Sequence, residues 1–291
     1  WTLNDAVADK SGIDWDPISR KLFTIRNNGI YVRRFTLAGA YDSQSNAWTT
    51  PFNDSESLTY LGEDHPDGRW AVVNEQPYGS SVMVLFDDDG TATTQPSTTT
   101  YDLSDITGTD SGGGYGLEAI TYDPVRDEFY VGVQDMGSGG LWTVTLGTSP
   151  DCTCTKMFDW SVVYNQAVAG IDSTWLVSDI CHGRRIGKPD SLFVLVSNSA
   201  FTSNKVLEIT YEGAILSVWT GPGNKAEGVC FLPWAPYDLV LCADNSTGTT
   251  LWRYSEETVA NEVPIDYEDT WSYDYSNTAR ISGTPFYDTG Y

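Results

Sequence analysis

The sequence predicts an all-β protein, a five-bladed β-propeller with an extended aromatic C-terminal tail, and three observations lead there. Short β-branched and aromatic runs separated by Gly, Asn, Asp and Pro dominate the chain, and no long stretch has a 3.6-residue period. Five segments open alike: SGIDW (11–15), ESLTY (56–60), EAITY (118–122), SDICH (178–182) and EGVCF (227–231). Their starts are 45, 62, 60 and 49 residues apart, the length of a four-stranded blade with room for insertions.

Each repeat supplies its strands in the same order. The opening segment is the innermost strand, and in WDPISRK and YDPVRDE it runs into an acidic proline turn. About ten residues after each start, by the period of a hairpin, comes a second matched run. These runs are LFTIRN (22–27), WAVVNE (70–75), YVGVQD (130–135), FVLVSN (193–198) and LVLCAD (239–244). A third strand follows, as in SVMVLFDDDG, LWTVTLG and KVLEITYEG. Insertions in the second and third repeats would hold the Thr- and Gly-rich stretch (90–116) and a Cys-x-Cys loop (147–172). The fifth repeat has three clear strands, so residues 1–8 are expected to supply the fourth and close the ring; a sixth, degenerate blade is the alternative. The domain division is 1–262 for the propeller and 263–291 for the tail. That tail keeps five tyrosines, Trp271 and Phe286, too aromatic for a free linker, and is expected to pack on the propeller or on a neighbouring subunit.

Aligned on their repeats, two columns of oxygen donors appear. The first position of the inner strand reads Ser11, Glu56, Glu118, Ser178 and Glu227. The last position of the second strand reads Asn27, Glu75, Asp135, Asn198 and Asp244. Antiparallel neighbours bring the end of one strand beside the start of the other, so both columns are expected at one mouth of the channel. Six carboxylates would meet there beside the polar ring of Ser11, Ser178, Asn27 and Asn198. Carboxylates so crowded repel one another, and a bound cation removes the penalty. All-oxygen surroundings suit Ca²⁺ better than Zn²⁺. Glu56, Glu118 and Glu227 are the leading ligand candidates, with Glu75, Asp135 and Asp244 beside them.

The motifs SGIDW, ESLTY, GLEAITYDP and AEGVCF, with second strands ending in Asn or an acid, resemble the SdiA-regulated family of β-propellers. That resemblance implies a five-bladed propeller carrying calcium, related in architecture to paraoxonases and other calcium-dependent phosphotriesterases. It also implies that the matching glutamates, Glu56, Glu118 and Glu227, attend the channel metal. It attaches no activity.

Composition narrows the partners. Forty acids against 16 Lys and Arg give a formal charge of −24, which excludes nucleic acid and an anionic membrane surface. No apolar run is long enough to span a bilayer, so membrane insertion is not expected. Trp1 has no charged or apolar leader segment behind it, so either a signal was removed or none existed; the secreted reading below takes the first. The sequons at Asn53 and Asn245 and the Thr-rich run TATTQPSTTT (91–100) point the same way, to a secreted, extracellular glycoprotein. Cys230 and Cys242 flank an expected turn, as a bridge or as two buried thiols, and Cys152 and Cys154, a C-x-C without a second pair, give little support to a metal site. His182 falls in a column otherwise made of Trp15, Tyr60, Tyr122 and Phe231, which favours packing over catalysis; His65 reads as a turn residue. The pair Arg184–Arg185 is expected to balance nearby acids.

With two histidines and no G-x-S-x-G, no catalytic residue is assigned, and the sequence leans away from an enzyme. The leading expectation is a secreted calcium-binding module with a binding or structural role, including that of a subunit of a larger assembly. Its partner would be a protein, a glycan or, through the tail, another copy of itself. The alternatives are a calcium-dependent hydrolase of lactones or phosphoesters and a glycan-binding propeller using exposed Trp and Tyr.

Overall fold

The computed structural model describes residues 10–46, 48–75, 81–106, 116–185, 189–221, 225–232, 238–243 and 251–255, with backbone alone at 28–30, 49–53, 238 and 252–255. The chain begins with β1 (Lys10–Asp16), β2 (Lys21–Arg26), the short β3 (Asn28–Ile30), β4 (Arg33–Thr36), β5 (Tyr41–Gln44) and β6 (Trp48–Asn53). β1, β2, β4 and β5 form one antiparallel sheet, and β3 pairs with β6 beside it. The second sheet runs outward from β7 (Ser55–Tyr60) through β8 (Trp70–Asn74) and β9 (Val82–Phe86) to β10 (Thr98–Asp102). The third holds β11 (Leu117–Asp123), β12 (Glu128–Val133), β13 (Gly140–Leu146) and β14 (Cys152–Asp159). One helical turn, α1 (Ser161–Tyr164), leads to the fourth sheet: β15 (Trp175–Gly183), β16 (Ser191–Asn198), β17 (Asn204–Ile209) and β18 (Ile215–Thr220). The last sheet has β19 (Ala226–Leu232), β20 (Asp238–Ala243) and β21 (Leu251–Ser255).

The architecture is an all-β propeller, and the number of complete blades needs correcting. Four repeats build four-stranded blades, where five or six were expected, and the fifth repeat contributes a three-stranded sheet. Residues 1–8, expected to complete that sheet, and the tail 263–291 lie outside the described residues, and no sixth sheet occurs among those described. The Cys-x-Cys segment is also not a loop. Cys152 and Cys154 belong to β14, the outer strand of the third blade, paired with Leu146 and Val144 of β13.

Apolar side chains hold the sheets together pairwise around the ring. Phe23 and Ile25 of the first sheet pack with Trp70, Val72 and Phe86 of the second. Leu85 and Tyr101 meet Phe129, Val131 and Trp142 of the third, and Tyr130 and Trp160 meet Val194 and Leu207 of the fourth. Phe193 stacks on Phe231 of the last sheet at 4.8 Å between ring centroids. Ile13, Leu22 and Phe35 close the circle against Cys230, Leu232 and Val240. Each sheet thus buries both faces against neighbours, which explains why its middle strands read as continuous apolar runs. Space between inner strands is tight: a Cβ on Gly12 would lie 2.7 Å from the Leu58 nitrogen, so only glycine fits.

A polar belt also runs around the channel, built from the fourth position of each repeat. Asp14 Oδ2 accepts the Tyr60 N–H at 2.7 Å, Thr59 Oγ1 that of Tyr122 at 3.1 Å, and Thr121 Oγ1 that of His182 at 2.8 Å. Cys181 accepts from the Phe231 backbone, and the Cys230 thiol points to Asp14 Oδ1 at 3.6 Å. Short acceptors recur at this position because each must satisfy a backbone N–H of the next inner strand. The fifth repeat differs, since the Cys230 thiol donates to Asp14, which itself takes the Trp15 N–H; Cys230 pairs in register with Val240, while Cys242 stands opposite Gly228. Both are thiols, so the bridge considered between them does not form. Among the described residues, no helix is long and apolar enough to cross a membrane.

Candidate metal centre

In all five inner strands the pairing register slips by one residue near the start. The ladder jumps from Lys10 to Gly12, from Ser55 to Ser57, from Leu117 to Ala119, from Val177 to Asp179 and from Ala226 to Gly228. The residues skipped are Ser11, Glu56, Glu118, Ser178 and Glu227, the whole first column. A bulge leaves one residue out of the ladder and re-aims its side chain. Here the same device recurs at one end of each inner strand.

The geometry brings the glutamates together. Glu56, Glu118 and Glu227 are buried, at 6%, 4% and 5% exposure. Asp54, Glu56 and Glu75 each offer a carboxylate oxygen within 4.8 Å of the others. Burial pushes the Glu56 carboxyl well above the usual carboxylate range, and the charges of Glu75, Glu227 and Asp54 push it further. Glu118 is raised by burial first, and then by Glu56, Glu227 and Glu75. Opposing this, the Asn27 amide donates a close hydrogen bond to Glu56 Oε1, Gln134 bonds Glu118, and Lys225 Nζ lies 2.8 Å from Glu227 Oε1. The Gly116 N–H reaches Glu75 Oε1 at 3.2 Å. Glu118 Oε2 is buried with no hydrogen-bond partner among the described residues. Five acids therefore share a small space, and one carboxylate oxygen there is unsatisfied.

The remaining column members have other partners. Ser178 Oγ lies 3.2 Å from Ser197 Oγ, and Ser11 is buried. Asp135 accepts from the Gly137 N–H at 2.8 Å and the Ser138 hydroxyl at 2.6 Å, capping its own turn. Asn198 does likewise with Thr202 and Ser203. Asp244 and the sequon residue Asn245 lie outside the described residues, as does the side chain of Asn53. Ser55 of the first sequon is fully buried and bonds Asn74 Oδ1 at 2.8 Å. Sequence reasoning missed Asp54, which sits at φ 59° just ahead of β7; the Asn-Asp pair before the repeat was its only signal.

The opposite end of the inner strands is built differently. Asp123, the last residue of β11, has a side chain only 1% exposed, and its carboxylate meets Arg126, the Tyr211 hydroxyl at 3.3 Å and His182 Nε2 at 3.7 Å. Burial alone would raise Asp123; His182 and Arg126 outweigh it and hold the group below the usual range. His182 is half-buried and stacks on Tyr211 at 6.5 Å, in keeping with a packing position. Arg185 makes a two-pronged pair with the buried Glu208, at 3.0 and 2.5 Å, and so balances an acid as expected.

A ring of sheets with acids gathered at one mouth of its channel defines a β-propeller with a candidate cation centre. The chain belongs to the SdiA-regulated family, whose sequence model matches residues 2–227 and confirms the resemblance carried by the repeat motifs. None of the curated proteins matches the chain in sequence. Among solved structures it is similar to one named glucose dehydrogenase, with 10% identity, a TM-score of 0.53, and 88% of this chain and 99% of that chain covered. It is similar to a luciferin-regenerating enzyme at 10% identity, a TM-score of 0.50, and 87% and 92% coverage. A calcium-binding protein, regucalcin, from Agrobacterium tumefaciens aligns at 11% identity, a TM-score of 0.47, and 86% and 92% coverage. At such identities the likeness is one of fold.

Proposed function

We propose that the acidic mouth binds Ca²⁺ and that the protein is a calcium-dependent hydrolase of lactones or phosphoesters. The observation that carries this reading is Glu118: a buried carboxylate with an orphaned oxygen, set among three other acids that raise its proton affinity. Leaving such a group unsatisfied is costly, and a cation relieves both the desolvation and the repulsion. Glu56, Glu118, Glu227 and Glu75 would hold the ion, with Asp54 beside them. The donors are all oxygens, as a hard cation of high coordination number prefers. A bound Ca²⁺ supplies Lewis-acid polarisation of a carbonyl or phosphoryl oxygen.

The chain's own residues would do the rest. Asn27 holds Glu56 in place through its amide. Asp54, half-buried beside the cluster, would orient a water and take its proton. The test is turnover of lactone, aryl-ester and phosphotriester substrates. Chelated protein is expected to be inactive, Ca²⁺ to restore activity, and Glu118→Gln to abolish it.

A second reading keeps the ion but not the reaction: an extracellular module in which calcium stiffens the mouth and the surface binds a protein or glycan partner. It is favoured by one observation, that both histidines of the chain lie away from the acidic mouth, His182 beside Asp123 and His65 in the turn after β7. Calcium binding by calorimetry with no chelator-sensitive turnover of any of the three substrate classes would select it.

A further inference from the structure

Outside the channel, the outer strand of the third blade carries a second set of groups with metal-ligand chemistry. Cys152 and Cys154 occupy alternate positions of β14, so both side chains leave the same face of the strand. Both are half-buried free thiols, and their sulfurs lie 3.9 Å apart. The Cys152 thiol is held in place by a contact to the Asp102 carbonyl oxygen at 3.0 Å.

We propose that Cys152 and Cys154 form a two-sulfur site for a thiophilic divalent cation of the zinc and cadmium kind, separate from the oxygen-lined mouth. With metal–sulfur bonds of about 2.3 Å, sulfurs 3.9 Å apart subtend roughly 116° at the ion, close to tetrahedral. On binding, two S–H bonds break, two sulfur–metal bonds form, and two protons leave to solvent. The surroundings favour this exchange. Asp102 and Asp105 bring carboxylate charge close to both thiols, and Asp151 to Cys152, and that charge attracts a cation. A disulfide fits the strand less well. Two residues of extended chain span about 6.8 Å, at the limit of what a disulfide bridges, and both cysteines keep their ladder partners in β13. The mouth offers only oxygen and this strand only sulfur, so the two sites would sort ions by softness.

The test uses the full chain, reduced and then freed of reductant, in buffer with excess Ca²⁺ so that the mouth is saturated. Titration with Cd²⁺ should give an ultraviolet cadmium–thiolate band that saturates near one ion per chain, with about two protons released per ion. Zn²⁺ should compete the band away, and Cys152→Ser/Cys154→Ser should lose it while keeping the wild-type melting curve. A band that never appears, or that survives undiminished in the double variant, overturns the proposal. A measurement on wild-type protein needs no variant: Cd²⁺ should protect Cys152 and Cys154 from alkylation, read by peptide mapping, and unprotected thiols would equally refute the site.

Discussion

The two ends of the inner strands carry the same kind of residue in opposite company. At the starting end, Glu56 and Glu118 face other acids and hold their protons unusually tightly. At the finishing end, Asp123 is as deeply buried but faces Arg126, His182 and the Tyr211 hydroxyl, and holds its proton loosely. Arg126 is itself fixed over the Tyr211 ring at 4.2 Å from the ring centroid. Burial acts in the same direction on all three carboxyls, so the neighbours decide the sign. A compensated buried acid is a piece of structure. A cluster of acids with little compensation is one that a bound cation would relieve.

That contrast is most directly broken by adding and removing the ion. Saturating the chelated protein with Ca²⁺ at about a hundred times its dissociation constant should add about 2.7 kcal/mol, or roughly 5–10 °C in melting temperature. Glu118→Gln should abolish this gain yet raise the melting temperature of the ion-free protein, because it removes a repelled charge. If the variant melts lower without calcium, the cluster is not under strain. Asp123→Ala should do the reverse: a loss of about 2–3 kcal/mol in urea unfolding, from stranding Arg126 and the Tyr211 hydroxyl, with unchanged calcium affinity. A changed affinity would show that the two ends are coupled.

Acidity sharpens the comparison. Glu56 and Glu118 have folded values above their unfolded ones, so their contribution is full below about pH 4.5 and is lost as pH rises through the folded values. Asp14, pushed up to about 6 by burial, adds to that trend between about pH 4 and 6. Asp123 has the opposite sign: its contribution is present above its unfolded value near 4 and is lost as pH falls through the lower folded one. In urea midpoints of ion-free protein across pH, Glu118→Gln should therefore gain on the wild type as pH rises. Asp123→Asn should fall behind it only as pH rises to about 4 and keep a constant deficit above that; a Glu118→Gln curve parallel to the wild type above about pH 4.5, or an Asp123→Asn curve parallel to it below about pH 4, would contradict the assigned sign. The smallest effect is expected at Lys225, whose side chain is 41% exposed and pairs with Glu227. Lys225→Met should tighten calcium binding by about two- to fivefold in calorimetry, the modest size expected of an exposed pair.

Much of the mouth was legible from repeat arithmetic, because Glu56, Glu118 and Glu227 share a position whose direction the fold repeats. The second column was only half legible. Glu75 turns into the cluster, but Asp135 and Asn198 turn onto the N–H groups of the loops that follow, and side-chain direction past a strand end is set by loop chemistry rather than by strand period. In Asp135-Met-Gly-Ser-Gly the turn signal was present and outweighed the column. Asp54 is matched only by Asp9, two residues ahead of Ser11, while the other repeats have Gly116, Leu176 and Lys225 there, so no column of acids marked it. The Cys-x-Cys segment looked like a loop because its Thr, Cys and Lys alternation is that of an exposed outer strand, without the apolar run that marked the inner ones. The incomplete fifth sheet matches the three strands its repeat displays.

The five bulges have a consequence for how such a site can change. The residue at each bulge is supernumerary in the ladder, so its identity is not constrained by the backbone pairing that holds the blade together. Ser11 and Ser178 occupy the same socket as Glu118 with the pairing around them unaltered. The ring therefore works as a set of interchangeable fittings. Charge at the mouth can be raised or lowered one carboxylate at a time, and the choice of ion revised, without renegotiating the fold that presents it.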